Sequence, residues 1–349
     1  MMRPDSEDDL AAMLRNTRGP VAIMGGATRL RPGEGQGTRI DMHGLSGITL
    51  YEPEALTLVV RAGTLLADIR KTLAAERQML AFEPDPRTGS TIGGIVAANV
   101  SGPRRVSAGA CRDAMLGVRL VTGMGEIVRN GGRVMKNVTG YDLVKLLAGS
   151  RGRLGAITEI ALKTAPIPPV CATLYLDGLD DVAAVRAMTA ALTGPYDVTG
   201  AGRLPDGRTI LRLEGLPGSV ELRAKALADV LSGFGAVLVV EGDTGFQSLR
   251  DHAAGAREIL WRIVLRPSQA VEMLAQIPSG QQVALDWGGS LIWAEAPPDW
   301  QPVLPPGGRA ERVQGAPFMS LPVPDPVTAR LNAGLRDAFD PHGLFRGVA

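Results

Sequence analysis

Two pairs of adjacent glycines in the first hundred residues constrain this chain more than any other feature. Gly25-Gly26 follows a short apolar run at residues 21–24, and Gly93-Gly94 lies near the start of a small-residue segment at residues 91–100. Because glycine has no side chain, its main chain can approach a pyrophosphate closely and present consecutive N–H groups to it. Two such segments, each between a strand and a turn or helix, predict two backbone walls around one anionic ligand. A dinucleotide is the ligand that this pattern favours.

The other glycine-rich patterns do not match the common nucleotide motifs. No G-x-x-x-x-G-K-[ST] run occurs, which argues against a P-loop. The glycines at residues 33–37 lack the spacing of G-x-G-x-x-G, and no acidic residue ends a following strand at the distance that a Rossmann fingerprint needs. A Rossmann-type site is therefore disfavoured.

Length and composition exclude several classes of protein. With 349 residues the chain exceeds one ordinary core, so two domains are expected. A net charge of +1 and an aromatic content of 4% argue against nucleic acid as a partner. The only cysteines, Cys111 and Cys171, favour a reducing cytoplasm over a disulfide framework. No run approaches the roughly 20 apolar residues of a membrane helix, so direct membrane insertion is not expected.

Residues 1–167 have the pattern of an α+β domain. Ser6 is placed to cap a helix that ends near residue 16, and Thr64 is placed to cap another that ends near residue 76. A Pro-rich run at residues 166–169 then predicts a linker. The remaining elements expected in this domain are strands at 21–24, 57–61 and 156–163, a helix at 91–100, a hairpin over 117–129 and a helical turn at 142–147.

Residues 168–325 predict a second α+β domain in which the elements follow the order βαββαβ, the ferredoxin-like pattern. A weaker echo follows, with a strand at 260–265, a helix at 268–277 and a strand pair ending at 294, so a degenerate repeat is expected. A Pro- and Gly-rich stretch at 297–317 replaces the closing helix of this repeat. We expect that stretch to be an ordered lid or an extended linker. Residues 326–349 predict a final helix and a tail that pack back on the first domain.

Taken in order, the segments of the first half resemble one family of flavoproteins. Gly25-Gly26-Ala27-Thr28 is similar to the pyrophosphate loop of the vanillyl-alcohol oxidase family, whose members share a PCMH-type FAD-binding domain. Pro84 and the run Thr91-Ile92-Gly93-Gly94 resemble that family's second FAD-contacting segment. The other similar stretches are 97–99, 101–103, 107–109, 112–113, 116–118, 136–143, 149–152 and 154–159. The resemblance implies a two-lobed FAD-binding domain and an antiparallel ferredoxin-like cap domain.

The resemblance also implies which residues bind non-covalent FAD. The pyrophosphate is expected along the N–H groups of residues 25–28 and 91–94, with Asn99 and Gly102 toward the isoalloxazine and the Ile157 main chain at the adenine. The full set of expected contacts is Gly25, Gly26, Ala27, Thr28, Arg29, Leu30, Pro84, Thr91, Ile92, Gly93, Gly94, Ala97, Asn99, Ser101, Gly102, Gly109, Arg112, Asp113, Gly155 and Ile157.

Within the family, the run at residues 136–142 and the tail run Phe339-Asp340-Pro341 are similar to the FAD-binding subunits of bacterial glycolate-oxidising complexes. That similarity implies two partners, a larger FAD-containing catalytic subunit and an iron–sulfur subunit. The implied substrate is a small 2-hydroxy acid, glycolate or D-lactate, whose electrons pass via flavin toward the respiratory chain. A cytoplasmic location, peripheral at the inner membrane through the partners, would follow.

Two residues depart from the family's pyrophosphate loop. Met24 stands where the family often has arginine, and Ala27 replaces a glycine and is expected to avoid positive φ. Covalent attachment of the flavin is not expected either, because no histidine lies near the FAD-like segments and Cys111 fits a small buried thiol.

The second half carries few groups for catalysis. Oxidation of a 2-hydroxy acid needs a base and a cation for the carboxylate. The cap has one histidine, His252, which is expected at the surface, and arginines on or near its strands, Arg203, Arg212, Arg262 and Arg266. The tryptophans at residues 287, 293 and 300 fit a partner-facing patch or the cap core equally well.

No catalytic residue is assigned, and three functions stay open: an electron-transferring FAD subunit, a self-sufficient FAD-dependent 2-hydroxy acid dehydrogenase, and a structural subunit with a decayed flavin site. The missing histidine cluster favours the first over the second, and the retained glycines favour the first over the third.

Overall fold

The computed structural model describes residues 1–31, 34–132, 141–255, 258–316 and 318–345. The chain divides into two compact units. Unit 1 comprises Met1–Ser101, Gly109–Ile167 and Pro324–Ala349, and unit 2 comprises Gly102–Ala108 and Pro168–Val323. The sequence-based domains 1–167, 168–325 and 326–349 did not anticipate that Gly102–Ala108 groups with unit 2.

The described helices are α1 (Glu7–Asn16), α2 (Leu66–Ala75), α3 (Ile92–Ala97), α4 (Arg105–Ala108), α5 (Cys111–Ala114), α6 (Leu143–Leu147), α7 (Asp181–Thr193), α8 (Pro217–Leu231), α9 (Thr244–Ala254), α10 (Ala270–Leu274) and α11 (Pro326–Phe339). Short 3-10 turns occur at Met42–Gly44, Pro267–Gln269 and Trp287–Gly289.

The described strands are β1 (Val21–Met24), β2 (Thr38–Asp41), β3 (Ile48–Glu52), β4 (Thr57–Arg61), β5 (Gln78–Met79), β6 (Met115–Val121), β7 (Ile127–Gly131), β8 (Ala156–Lys163), β9 (Ala165–Pro166), β10 (Val170–Leu176), β11 (Val198–Arg203), β12 (Thr209–Gly215), β13 (Val237–Glu241), β14 (Leu260–Val264), β15 (Val283–Asp286), β16 (Leu291–Ala294), β17 (Arg309–Gln314) and β18 (Met319–Ser320).

The main sheet of unit 1 has five antiparallel strands in the order β3-β4-β8-β6-β7. Its central strands are rich in β-branched and aliphatic residues, which suit a half-buried pleated surface. Val60 on β4 and Ile160 on β8 face each other in register and are fully buried with Ile69 of α2. Burial of each such side chain stabilises the fold by about 1.5–3 kcal/mol, so this sheet and α2 give unit 1 a rigid base.

A second, smaller layer of unit 1 carries the first glycine pair. β1 and β2 pair in parallel, with Met24 opposite Asp41, and the chain leaves β1 directly into Gly25. Leu10 and Leu14 of α1 pack with Ile40 of β2 as one buried cluster. Ser6 caps α1 as expected, since its side chain accepts a hydrogen bond from an N–H of the first turn.

Unit 2 is built on a nine-stranded antiparallel sheet in the order β13-β10-β12-β11-β15-β16-β14-β17-β18. The first four strands in chain order, β10 to β13, lie in the ferredoxin-like order 4-1-3-2. The next four, β14 to β17, repeat that order in mirror sequence along the sheet, and Arg203 of β11 pairs with Leu285 of β15 where the halves join. The α+β fold class with an antiparallel ferredoxin-like cap is therefore confirmed.

Residues Gly102–Ala108 are held inside unit 2 by polar contacts as well as by packing. The Trp287 indole N–H donates to the Gly102 carbonyl at 2.9 Å, and the Arg105 guanidinium lies 4.6 Å from the centre of the Trp287 ring. Arg104 forms a salt bridge with the buried Glu214. This short segment is thus a firmly bonded part of unit 2.

Several expected elements differ from the structure. Thr64 does not cap α2, because its hydroxyl bonds to the carbonyls of Gly47 and Arg61 and Leu65 occupies the cap position. The helix expected at residues 268–277 is shorter, with a 3-10 turn at Pro267–Gln269 before α10. The stretch at residues 297–317 is neither a lid nor a linker throughout, since it contributes β17, which pairs with β14.

Candidate functional site

Both glycine pairs line one cavity of unit 1. The cavity has a volume of about 100 Å³ and is partly open to solvent. The expected contact residues that line it are Gly25, Gly26, Ala27, Thr28, Arg29, Leu30, Thr91, Gly93, Gly94, Ala97, Gly155 and Ile157. The other lining residues are Ile23, Met24, Glu34, Met42, Ala62, Ala98, Arg151 and Gly152.

The first wall is the loop that follows β1. Within the described residues, no acceptor is present for the main-chain N–H groups of Gly26, Ala27 and Thr28, so these donors remain for a ligand or for solvent. Three consecutive free N–H groups form an anion-binding concavity. The expectation that Ala27 avoids positive φ was wrong: its φ is 55°, a left-handed conformation that costs an L-residue about 1–2 kcal/mol.

Glycine is required where this loop meets its neighbours. A Cβ on Gly26 would lie 1.7 Å from the Gly89 carbonyl oxygen, and a Cβ on Gly25 would lie 2.1 Å from Thr91 Oγ1. Real Cβ atoms do not approach other atoms so closely, and the carbonyl belongs to the backbone, which cannot rotate away. The glycine pair therefore allows the first wall to pack directly against the second.

The second wall is α3 and the residue that precedes it. The Thr91 side chain accepts a hydrogen bond from the Gly94 N–H at 3.4 Å and caps the helix. Gly93 packs against Ala62, where an added Cβ would lie 2.8 Å from the neighbouring atoms. Gly94 has more room, because its Cβ would meet nothing closer than 3.4 Å. The missing side chain of Gly94 therefore leaves free volume in the cavity, whereas that of Gly93 allows close packing against Ala62.

A buried arginine that also lines the cavity ties the glycine loop to the segment at residues 85–90. The Arg29 guanidinium forms a salt bridge with Asp85 and donates to Ser90 Oγ at 3.1 Å, while Arg87 donates to the Thr28 carbonyl at 3.1 Å. Burial, together with the nearby charges of Arg87 and Arg70, lowers the pKa of Arg29 to about 10 despite its carboxylate partner. The side chain stays protonated at neutral pH and adds positive charge beside the free N–H groups.

A second ion pair joins opposite sides of the cavity. Arg151 donates from Nε to Glu34 Oε1 at 2.8 Å and from Nη2 to Glu34 Oε2 at 2.5 Å. Burial raises the pKa of the Glu34 carboxyl, but the Arg151 guanidinium and the Arg31 N–H outweigh it, so the pKa lies below its ordinary value. Glu34 and Arg151 were missed as site residues, and no local pattern marks them because they are 117 positions apart.

The remaining side of the cavity is largely apolar and fits a flat ligand. It is formed by Ile157 at the start of β8, Met42, Ala62 and the glycines 152 and 155. A Cβ on Gly152 would meet no protein atom within 4 Å, which marks a cradle that a side chain would otherwise fill. Free N–H groups, buried positive charge and an apolar cradle together match the pyrophosphate and ring systems of FAD.

Eight of the expected contacts do not line this cavity. Ile92, the first residue of α3, is fully buried, and Pro84 is buried with its carbonyl bonded to Arg70 at 2.6 Å. Gly102 belongs to unit 2. The others, Asn99, Ser101, Gly109, Arg112 and Asp113, lie around α5, where the side chains of Asn99 and Ser101 accept hydrogen bonds from the N–H groups of Arg112 and Cys111. The resemblance in residues 136–140 lies outside the described residues.

Three of the four arginines of unit 2 that were considered for a substrate carboxylate are bonded to acidic side chains. Among the arginines considered for a carboxylate, Arg203 pairs with Asp181, Arg212 with Asp243 and Arg262 with Glu311. Arg212 is fully buried and stacks on Phe246 at 4.7 Å. No group of three or more His, Cys, Asp or Glu side chains in the described ranges is arranged to hold a metal.

The histidine and the tryptophans of unit 2 are buried or packed in its core. His252 is not at the surface, since it lies on α9 and is only 6% exposed. Trp287 and Trp293 are buried, and Trp300 packs edge-on against Trp261 at 5.3 Å between ring centres, so these rings belong to the core.

Comparison with known proteins gives the site a context. The family model described as "FAD binding domain" matches residues 1–131. The chain is 35% identical to the glycolate oxidase subunit GlcE of Escherichia coli over 338 residues, which cover 93% of this chain and 91% of that protein. It is 30% identical to the glycolate oxidase subunit GlcD of Bacillus subtilis, over 71% of this chain and 52% of the length of GlcD.

The fold is also that of a solved structure. An alkyldihydroxyacetonephosphate synthase aligns with a TM-score of 0.69 over 98% of this chain and 75% of that one, at 14% identity, a likeness of fold alone. In the part of the chain that is described, helices long and apolar enough to cross a membrane do not occur.

Proposed function

The chain belongs to the family of FAD-binding oxidoreductases that includes the glycolate oxidase subunit GlcE, and on that premise we propose that it is the FAD-carrying subunit of a complex that oxidises glycolate or a similar 2-hydroxy acid. FAD is its cofactor, and the chain is an FAD-dependent oxidoreductase. When bound, the flavin supplies the two-electron redox chemistry, while the protein binds and orients it.

The observation that carries the proposal is the cavity between the two glycine walls. The N–H groups of Gly26, Ala27 and Thr28 would hold the pyrophosphate, with the Arg29 charge behind them. The α3 wall at Gly93 and Gly94 would close the other side. Ile157 would contact the adenine. Asn99 and Gly102 stay proposed contacts to the isoalloxazine.

Non-covalent binding of FAD is part of the proposal. Cys111 is fully buried, and burial raises its pKa above the ordinary range, so its sulfur stays a thiol rather than a nucleophilic thiolate. No histidine lines the described cavity. Both observations argue against a covalent link to the flavin.

The proposed partners are a larger FAD-containing catalytic subunit and an iron–sulfur subunit. Two observations favour this assignment over a self-sufficient dehydrogenase. Arg203, Arg212 and Arg262, considered for the substrate carboxylate, are each bonded to an acidic side chain. His252 is buried away from solvent. A base and a carboxylate site would then come from the larger subunit. In that setting the protein works in the cytoplasm, or at the inner membrane through its partners.

The test compares the isolated chain with the assembled complex. Each is mixed anaerobically with glycolate, and the flavin absorbance near 450 nm is followed. We expect the isolated chain to be yellow and to keep its absorbance, and the complex to bleach. Bleaching of the isolated chain by glycolate would establish the self-sufficient dehydrogenase instead. A colourless chain that supports activity of the complex would establish a structural subunit.

A further inference from the structure

Glu34 and Arg151 make more hydrogen bonds within the protein than side chains that only contact a ligand would need. Both carboxylate oxygens of Glu34 accept from Arg151, and Oε2 also accepts from the Arg31 N–H at 2.9 Å. The Arg151 guanidinium donates in addition to the Arg29 carbonyl at 2.7 Å. Each side chain is only 14% exposed, so the pair is largely shielded from water and from salt.

Arg151 also ties its own segment to the second wall. Its main-chain N–H donates to the Ala97 carbonyl at 2.8 Å, and the preceding Gly149 N–H donates to the Val96 carbonyl at 3.0 Å. Arg151 has a φ of 55°, a conformation that a non-glycine residue keeps only when its surroundings hold it. One residue therefore links the end of α3 to the glycine loop.

The charge balance of the Glu34–Arg151 pair explains how a carboxylate can line a cavity that binds an anion. A lone carboxylate lining a cavity for a pyrophosphate would repel the ligand. Bidentate pairing with Arg151 makes Glu34 electrically neutral toward the ligand. Arg29 and Arg87 share the single carboxylate of Asp85, so that cluster supplies one net positive charge at the loop. Glu34 is thus suited to hold the loop rather than to contact the phosphates.

We propose that Glu34 and Arg151 are positioning residues that close the loop at residues 25–31 over the cavity and so control the entry and release of FAD. The inference rests on the proposed function, because it assumes that FAD is the ligand of this cavity. Release of FAD requires the loop to move away from Arg151, which breaks the two bonds to Glu34 and the bond to the Arg29 carbonyl.

The test measures both rates of FAD exchange in Glu34→Gln and Arg151→Lys. Glu34→Gln keeps the shape of the side chain and removes its charge, and Arg151→Lys keeps the charge and removes the bidentate fork. The control is Asp181→Asn, which breaks the Arg203–Asp181 ion pair of unit 2. Fluorescence of free FAD reports dissociation after dilution and association after mixing with the FAD-free chain.

A closing residue and a direct ligand contact give different results. We expect both variants to raise the dissociation rate and the association rate by about tenfold or more, which corresponds to about 1.4 kcal/mol lost from the closed state. Asp181→Asn should change neither rate. Faster dissociation with unchanged association would mean a direct contact with FAD, and unchanged rates would mean no role. Either result overturns the proposal.

A second measurement does not depend on FAD. Trypsin should cleave the FAD-free wild type slowly between Arg29 and Leu30, because the Arg29 side chain is 9% exposed and bonded. The Glu34→Gln chain should yield the peptide that ends at Arg29 several-fold faster, at a temperature well below the melting transition of both chains. Equal cleavage would overturn the proposed closure. A wild type without affinity for FAD would refute the proposed function. In that case the cleavage rates alone would test whether the Glu34–Arg151 pair closes the loop.

Discussion

Gly94→Trp tests the position of the flavin site with little effect on the fold. Gly94 lies in the first turn of α3, and its Cβ would meet Thr91 Oγ1 at 3.4 Å and Arg29 Cγ at 4.0 Å, which are ordinary contacts. Helix propensity favours Trp over Gly by a few tenths of a kcal/mol. The bulky ring would then lie in the cavity in front of the glycine loop, where the account places the pyrophosphate.

The expected loss of affinity follows from the hydrogen bonds that the ring displaces. The loop offers three free N–H groups, of Gly26, Ala27 and Thr28. A hydrogen bond to a charged group contributes about 1.5–3 kcal/mol, so their loss costs about 4–9 kcal/mol. At 1.4 kcal/mol for each factor of ten, FAD should bind roughly a thousandfold more weakly or worse.

The assay is a fluorescence titration of the FAD-free chain together with its melting temperature. The matched control is Gly218→Trp, because Gly218 also lies in the first turn of a helix, α8, and its Cβ would meet no atom within 4 Å. The control should bind FAD like the wild type. If Gly94→Trp binds FAD within threefold of the wild type and melts normally, the cavity is not the flavin site.

Three further outcomes are expected. Arg212→Met should lower the free energy of unfolding by about 1.5–3 kcal/mol in urea titrations, because it removes the hydrogen bond of a fully buried guanidinium to Asp243, while Asp243 and Glu214 keep Arg250 and Arg104 as partners; a loss under 1 kcal/mol would contradict this. Native protein should react slowly with a thiol reagent at pH 8, because burial raises the pKa of Cys111 above the ordinary range and that of Cys171 to about 12; rapid labelling before denaturation would contradict it. Burial raises the pKa of Glu7, but Arg119 outweighs it and the folded value lies below the ordinary one. The stability that Glu7 contributes is therefore present above about pH 4.5 and lost on acidification, so Glu7→Gln should destabilise by about 1 kcal/mol at pH 7 and progressively less below pH 4; a pH-independent difference would contradict this.

Elements with strong local signals were predicted closely from the sequence. β1, β4 and β8 have the expected bounds because each is a short apolar or β-branched run between turn residues. The final helix, Pro326–Phe339, also has them, since Asp325 caps it and Pro326 suits its first position.

The elements that were missed depend on distant partners. β17 has the sequence Arg-Ala-Glu-Arg-Val-Gln, which lacks a strong apolar alternation, and it forms a strand because β14 offers an edge to pair with. α9 begins at Thr244, is not capped by the side chain of the preceding Asp243, and is held by Phe246 and Leu249 in the core. Neither feature is visible in a local window.

In the candidate site, too, residues with a local sequence signal were predicted, and residues that depend on distant partners were not. Gly25, Gly26, Gly93 and Gly94 were found because glycine is the one residue that such close backbone approaches allow. Glu34 and Arg151 were not found, because only folding brings two residues 117 positions apart into one ion pair. The positive φ of Ala27 was also missed, since nothing in the sequence distinguishes a strained alanine from a relaxed one.

The central claim is that this chain carries one FAD in the cavity of unit 1, and the flavin content of the purified wild type tests it most directly. The chain is purified alone and desalted, its visible spectrum is recorded, and it is then denatured with acid. We expect a flavin spectrum and release of about one FAD per chain into the supernatant, as binding at one non-covalent site requires. A colourless chain that takes up no added FAD, or flavin that stays with the precipitated protein, would contradict it.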